Sequence, residues 1–98
     1  MAILTMFEVY GDDPEDMVAK TDAAMGPDAA KIAGEHGGIS NTIAKTDRGV
    51  MIVNLWESEQ GMEAFAALMR PRIEEVPDGG EQVGWRMYEV LQHRTPDE

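Results

Sequence analysis

The chain of 98 residues is long enough for one domain and too short for two, and its 43% of apolar residues predict a packed interior. The 19 acidic and 8 basic residues give a formal net charge of −11, which repels phosphate backbones and anionic lipids, so nucleic acids and membranes are excluded as expected partners. The absence of cysteine excludes disulfides and thiolate chemistry, and the N-terminal apolar run is too short for a bilayer, so we expect a cytoplasmic protein.

The first predicted element is a strand over residues 2–10, AILTMFEVY, in which bulky side chains alternate. The acidic segment GDDPED ends the strand and favours the start of a helix, because the helix dipole attracts negative charge. Helical spacing then recurs in Met17, Val18, Thr21, Ala24 and Met25. Gly26 and Pro27 interrupt this helix, since proline removes a donor. Pro27 opens a second helical piece, which Gly37 or Gly38 ends.

Two further strands, ISNTIAKT and VMIVNLWE, are joined by Asp47-Arg48-Gly49, a short glycine-containing loop typical of a hairpin. From Ser58, the predicted N-cap, the apolar period becomes helical. The helical stripe consists of Met62, Phe65, Ala66, Met69 and Ile73. Pro71 predicts a kink or a restart within this helix. The segment VPDGGEQ is a predicted loop, and QVGWRMYEVLQH is the last predicted strand.

The predicted order of elements is β-α-β-β-α-β, which is the ferredoxin-like arrangement. The sequence therefore predicts an α+β fold in one domain over residues 1–98, with a four-stranded antiparallel sheet and two helices on one face. Both faces of this sheet are largely apolar. In the third strand, Val50, Ile52, Asn54 and Trp56 alternate with Met51, Val53 and Leu55. Because two helices cover only one face, the other face needs a cover of its own.

A second copy of the chain is the predicted cover. It gives a homodimer in which two sheets face each other and enclose a barrel interior. Trp56 is assigned to the face that the helices leave uncovered, and therefore to the barrel wall. The face of Glu8 and Tyr10 is assigned to the helices.

The segment HGGISNTIAKTDRGVMIVNLWESEQGMEAF is similar to the antibiotic-biosynthesis-monooxygenase-like (ABM) group of dimeric α/β-barrel proteins. In that group a glycine after the first helix leads into a strand hairpin. The second strand of the hairpin ends in a Trp-Glu-Ser type of sequence that opens the next helix. The resemblance implies a dimeric α/β barrel, a fold that hosts oxygenases, haem-degrading enzymes, isomerases and proteins without known chemistry.

Three residues are candidates for catalysis, namely Asn54, Trp56 and Arg86, and oxygenases of the ABM group use asparagine, tryptophan and arginine together. Trp56 either packs in the core at a strand end or forms a wall that stacks on a flat ligand. Asn54 either satisfies its amide within the fold or binds a ligand carbonyl or hydroxyl. Arg86 either forms an ordinary salt bridge or stabilises a phenolate or an oxygen-derived anion in the cavity.

The candidates for ligand binding are Phe7, Ile52, Trp56 and His36. Phe7 and Ile52 share the predicted interior face with Trp56. His36 and His93 are the side chains that titrate near neutrality, and His36 closes a helix, where a positive charge suits the dipole. Neither histidine has a carboxylate or cysteine at ligand spacing, so no metal site is predicted.

Two functions stay open. The first is a cofactor-independent monooxygenase for an aromatic or polyketide-like molecule in the barrel, in which the electron-rich substrate itself reduces oxygen. The second is a non-catalytic barrel that binds a small hydrophobic ligand or serves a structural role. Haem degradation is disfavoured, because the haem-degrading relatives carry a histidine in the second helix and SEQGMEAFAALMRPRI has none. No cofactor is expected.

Overall fold

Four strands and three helices make up the part of the chain that the computed structural model describes, residues 1–74 and 81–96, with the backbone alone at Glu81. In chain order they are β1 (Ile3–Tyr10), α1 (Pro14–Met25), α2 (Ala29–Glu35), β2 (Gly38–Lys45), β3 (Gly49–Trp56), α3 (Glu59–Glu74) and β4 (Glu81–Glu89). This order confirms the predicted ferredoxin-like α+β fold, in which the first helix is divided after Met25. No helix within the described ranges is long and apolar enough to cross a membrane.

Capping residues in the sequence set where the helices begin. The side chain of Asp13 accepts a hydrogen bond from the Asp16 amide at 3.0 Å and so caps α1. Ser58 caps α3 as predicted, because its Oγ accepts a hydrogen bond from the Gly61 amide at 3.1 Å. α3 continues through Pro71 to its end, so no second helix restarts there.

The last strand is shorter than predicted. β4 ends at Glu89, whereas the pattern extends it to His93. The amide of Val90 donates to the Ala2 carbonyl at 2.9 Å, and the residues that follow are not part of the strand. Of the predicted loop VPDGGEQ, residues 76–80 lie outside the described residues, and the last two belong to β4.

The four strands form one antiparallel sheet in the order β2-β3-β1-β4. Between β1 and β3, Ile3 lies opposite Trp56, and Thr5 lies opposite Asn54. Between β1 and β4 the register shifts after Met6, because β4 carries one extra residue there. Residues directly opposite each other share a face, so the register assigns the strand residues to two faces.

The helices cover the face that carries Trp56. Ile3, Trp56 and Met62 form the buried core cluster, against which Ala33 of α2 and Phe65 of α3 pack. We call this the helix-side face and the other one the opposite face. The helix-side face carries Ile3, Thr5, Phe7, Val9, Val50, Ile52, Asn54, Trp56, Trp85 and Met87. The opposite face carries Leu4, Met6, Glu8, Tyr10, Ser40, Thr42, Ala44, Met51, Val53, Leu55, Val83, Arg86 and Tyr88.

The predicted assignment of the two faces is therefore wrong. The sequence pattern leaves the face of Trp56 uncovered and places the face of Glu8 and Tyr10 under the helices, and the structure has the reverse. The period of two separates the residues of a strand into two sets without saying which set faces the helices. When both sets are apolar, as in β3, the packing of the helices decides.

Candidate functional site

A strip of side chains on the helix-side face runs from Trp56 to Trp85 across three strands. From Ile3 to Phe7, β1 advances four residues, or roughly 13 Å at the rise of a strand. We call this set the aromatic strip. It consists of Ile3, Thr5 and Phe7 of β1, Ile52, Asn54 and Trp56 of β3, and Trp85 and Met87 of β4. Four predicted site residues, Phe7, Ile52, Asn54 and Trp56, lie on it.

The Trp56 end of the aromatic strip is closed. Trp56 is only 5% exposed, and its ring lies 5.4 Å from that of Phe65, centroid to centroid, at 45°. Ile3 and Met62 complete the contact. This tilted arrangement is one that aromatic pairs favour. The packing joins the end of β3 to the first turns of α3.

The indole N–H of Trp56 is the polar group at this closed end. Nε1 is buried and has no hydrogen-bond partner among the described residues. A buried tryptophan N–H usually finds an acceptor, and a buried donor without one costs about 1–3 kcal/mol. The donor is therefore available to an acceptor that the described side chains and backbone do not supply.

Two more polar side chains lie in the middle of the strip. Thr5 is 1% exposed, and it lies directly opposite Asn54, which is half-buried. The Asn41 amide NH2 donates a hydrogen bond to the Asn54 carbonyl oxygen. That bond uses the carbonyl oxygen of Asn54, and none of the described residues accepts a hydrogen bond from its NH2 group. The centre of the strip thus combines apolar walls with hydrogen-bonding groups.

The Trp85 end of the strip is open. Trp85 is 50% exposed, although its ring lies 5.8 Å from that of Phe7 at 33°. Met87, two residues along β4, is also exposed. The bulge places Gly84 and Trp85 together opposite Phe7, and Gly84 has a φ of 69°, which glycine adopts without strain. The aromatic pair therefore forms an accessible apolar surface at the edge of the sheet.

Arg86 does not belong to the aromatic strip. It lies opposite Met6 and therefore on the opposite face, away from Asn54 and Trp56. The prediction that these three residues share one cavity is wrong, because neighbouring residues of a strand point to opposite faces. Within the aromatic strip, the side-chain hydrogen-bond donors are the neutral groups of Thr5, Asn54 and Trp56.

His36 lies at the closed end of the strip. It follows α2, and Gly38, two residues later, pairs with Trp56. His36 Nδ1 lies 2.9 Å from the Ile32 carbonyl oxygen. Since a carbonyl only accepts, Nδ1 carries the proton, and Nε2 is the acceptor of the neutral ring. Its role in ligand binding stays a prediction.

An open hollow of about 740 Å³ lies elsewhere, between the end of β1, the start of α1 and the β2–β3 turn. Lys45 Nζ and Glu15 Oε1 are 3.2 Å apart there, and the Arg48 guanidinium lies 5.4 Å from the centre of the Tyr10 ring. The backbone amide of Glu15 and the Lys45 ammonium lower the pKa of the Glu15 carboxyl. No predicted site residue lines this hollow, and the described residues bring no three metal-ligating side chains together.

Four residues of the aromatic strip, Ile3, Thr5, Trp85 and Met87, are absent from the sequence-based candidates, and so is Asn41, which donates a hydrogen bond to Asn54. Thr5 and Asn41 were detectable as polar residues inside strands with apolar alternation, at positions that the hairpin register brings near Asn54. Trp85 was detectable as a large aromatic residue beside a glycine within a strand, a combination that favours a bulge. In both cases the pairing of the strands, and not the residue type alone, marks the position.

Two solved structures share the fold over nearly the whole chain. A crystal structure of a dimeric ferredoxin-like protein from an uncultured marine organism has a TM-score of 0.74 at 12% identity, over 97% of this chain and 99% of that one. A variant of SnoaB, a cofactor-independent oxygenase from Streptomyces nogalater, has a TM-score of 0.64 at 12% identity, over 94% of this chain and 93% of that one. No protein-family model and no curated protein matches. The likeness confirms the ferredoxin-like α+β fold.

Proposed function

We propose that the protein is a homodimer that binds a flat aromatic or polyketide-like molecule along the aromatic strip and oxygenates it without a cofactor. The observation that carries the proposal is the buried indole N–H of Trp56, which has no partner among the described residues. In this proposal an oxygen atom of the bound molecule accepts the hydrogen bond of this donor.

The composition of the strip suits such a ligand. Small-molecule sites combine apolar and aromatic walls with a few polar groups that fix orientation. Phe7, Ile52 and Trp85 supply the walls, and Asn54 and Trp56 supply the donors. The half-exposed Trp85 end is the entrance, and the closed Trp56 end orients the molecule.

The dimer is supported by the opposite face of the sheet. Apart from Glu8 and Arg86, the described side chains of its four strands are uncharged, and the core cluster that packs against Ala33 of α2 and Phe65 of α3 lies on the other face. An apolar sheet face of this size needs a cover. The similar protein from an uncultured marine organism is dimeric.

Cofactor-independent oxygenation is supported by the likeness to SnoaB, which is such an oxygenase. In the reaction that we propose for this protein, a methylene carbon between aromatic rings of the substrate loses two hydrogens and gains one oxygen atom of O2 as a carbonyl oxygen, while the other oxygen atom leaves as water. The substrate supplies the electrons once it is deprotonated. Hydrogen bonds from Asn54 and Trp56 to the phenolate oxygen would stabilise the negative charge that develops.

Ligand binding without turnover is the second candidate, and the position of Arg86 favours it. With Arg86 on the opposite face, the strip lacks the cation that the predicted catalytic trio includes. A strip with neutral donors alone can hold a phenol or a carbonyl without activating it.

The test combines binding and oxygen uptake. A hydroxylated anthrone is titrated anaerobically into the wild-type protein and into Trp56→Phe, Trp85→Phe, Asn54→Ala and Tyr88→Phe, and quenching of tryptophan fluorescence reports binding. An oxygen electrode then follows turnover by the wild-type protein. Tyr88→Phe, on the opposite face, is the matched control.

We expect quenching in the wild-type protein, weaker binding in Trp56→Phe and Asn54→Ala, and no change in Tyr88→Phe. Binding with one O2 consumed per quinone formed supports the oxygenase. Saturable binding without oxygen uptake supports the second candidate. Equal binding by all variants would contradict the site.

A further inference from the structure

The opposite face carries one acid and one base among its described side chains. Glu8 of β1 and Arg86 of β4 lie on it, and the other described strand residues of this face are uncharged. Both charged residues have an apolar residue opposite them on a neighbouring strand: Arg86 lies opposite Met6 of β1, and Glu8 lies opposite Met51 of β3.

Neither charge has an ion-pair partner within the described part of the chain. The described salt bridges are Lys20–Asp16, Lys45–Glu15 and Arg72–Asp28. Arg86 lies opposite Met6 and Glu8 lies opposite Val83, so the two residues occupy neighbouring strands, diagonal to each other. Covering this face with an apolar surface would bury two uncompensated charges, which is strongly unfavourable.

A second copy of the same face would supply a partner of opposite charge for each of the two buried charges. In a two-fold interface, if residue i of one protomer contacts residue j of its partner, then j of the first contacts i of the second. The acid Glu8 and the base Arg86 of one copy are therefore complementary to the same two residues of a second copy. Building on the proposed dimer, we infer that Glu8 of each protomer pairs with Arg86 of the other across the two facing sheets.

This inference assigns Arg86 a function different from that in the predicted catalytic trio. The guanidinium presents several donors in a fixed plane and suits a carboxylate in a desolvated interface. The two symmetric pairs fix how the sheets are oriented relative to each other, while the apolar residues around them supply the buried area.

Charge-reversal variants test the pair. Sedimentation velocity and native mass spectrometry give the dimer dissociation constant of the wild-type protein, Glu8→Arg, Arg86→Glu and the double variant. Glu63→Arg and Arg70→Glu, both exposed on α3, are controls with the same charge changes. Circular dichroism shows that each variant is folded.

We expect each single reversal to weaken the dimer at least about 100-fold, as loss of a buried charge pair does. The controls should change it little, and the double variant should dimerise again. The decisive sample is an equimolar mixture of Glu8→Arg and Arg86→Glu, which should form a heterodimer, because both cross-protomer pairs then regain opposite charges. A salt bridge within one chain would give no such rescue.

A wild-type monomer would overturn both the dimer and this pair. A stable dimer whose single variants match the controls would overturn the pair and leave the dimer standing. Weakened single variants that do not form the heterodimer would assign the effect to contacts within one chain. If a reversal variant does not fold, Glu8→Gln and Arg86→Gln in a double-mutant cycle replace it, and additive effects on the dissociation constant would overturn the pair.

Discussion

The two tryptophans lie on the same face of one sheet, yet they have different surroundings. Trp56 is 5% exposed under α3, whereas Trp85 is 50% exposed at the edge strand β4. Each has a phenylalanine partner at a similar distance, Phe65 at 5.4 Å and Phe7 at 5.8 Å. The two aromatic pairs differ in whether a helix packs over them. An aromatic pair beneath a helix stabilises the fold, and an aromatic pair at an uncovered edge offers a surface to a ligand.

The largest expected effect is on stability, and it distinguishes the Trp56 end of the aromatic strip from the Trp85 end. Trp56→Ala should lower the free energy of unfolding by about 3–5 kcal/mol, because it leaves a cavity beside Ile3 and Met62. Trp85→Ala should lower it by about 1 kcal/mol, the contribution of an exposed aromatic pair. Urea unfolding measures both. Equal losses would mean that the Trp85 end is as much a part of the core as the Trp56 end.

The closed end depends on a close approach of α3 to α2. A Cβ on Gly61 would overlap the carbonyl oxygen of His36, so Gly61→Ala should push the start of α3 away and cost about 1–3 kcal/mol. A shift of Trp56 fluorescence to longer wavelength should accompany the loss, measured in a Trp85→Phe background.

Gly34→Ala is the matched control for this helix contact. Gly34 lies within α2, and an added Cβ meets no atom within 4 Å. The substitution should therefore raise stability by about 0.5–1 kcal/mol through helix propensity alone. A destabilised Gly34→Ala, or an unchanged Gly61→Ala, would show that the contact between α3 and His36 does not hold the closed end.

Variants in the middle of the aromatic strip separate an effect on the stability of the fold from an effect on ligand binding. Asn41→Ala and Asn54→Ala each remove the hydrogen bond between these side chains, and each should cost about 0.5–1.5 kcal/mol. Binding of the anthrone, measured by calorimetry, should weaken in Asn54→Ala and stay unchanged in Asn41→Ala. Equal binding losses would place the ligand across the β2 edge and not along the strip.

The smallest effect lies outside the strip, at the Glu15–Lys45 ion pair. The backbone amide of Glu15 and Lys45 lower the pKa of the Glu15 carboxyl in the folded state, so this group stabilises the fold above its unfolded pKa. The contribution is lost as the pH falls through the lowered pKa. Relative to Glu15→Gln, the wild-type protein should keep a slight advantage at pH 7 that vanishes in acid and in high salt, measured by thermal unfolding.

Much of the fold follows from local signals. The alternation in AILTMFEVY predicts β1, Asp47-Arg48-Gly49 predicts the hairpin, and Ser58 predicts the start of α3. These signals act between residues that are close in sequence, and hydrogen bonds within one turn or one strand pair express them. The candidate site follows less completely, because its residues come from three strands.

The position of Arg86 illustrates the limit. Its apolar neighbours Trp85 and Met87 indicate a strand, and the alternation of side chains places Arg86 on the other face from both of them. Whether Arg86 shares a face with Trp56 depends on how β1 pairs with β3 and with β4. The bulge at Gly84 and Trp85 changes that register by one residue. A shift of one residue moves a side chain to the other face, so pairing has to be known before residues of different strands can be grouped into a site.

The sequence by itself determined the order of the elements, the two apolar faces of the sheet and the acidic surface, since hydrophobic period, capping residues and charge are properties of local segments. Only the tertiary structure decided that α3 covers Trp56 and that Trp85 stays half exposed. It also decided that Glu8 and Arg86 share the face without helices. The physical reason is that both faces are apolar enough to be buried, and the packing of the helices selects one of them.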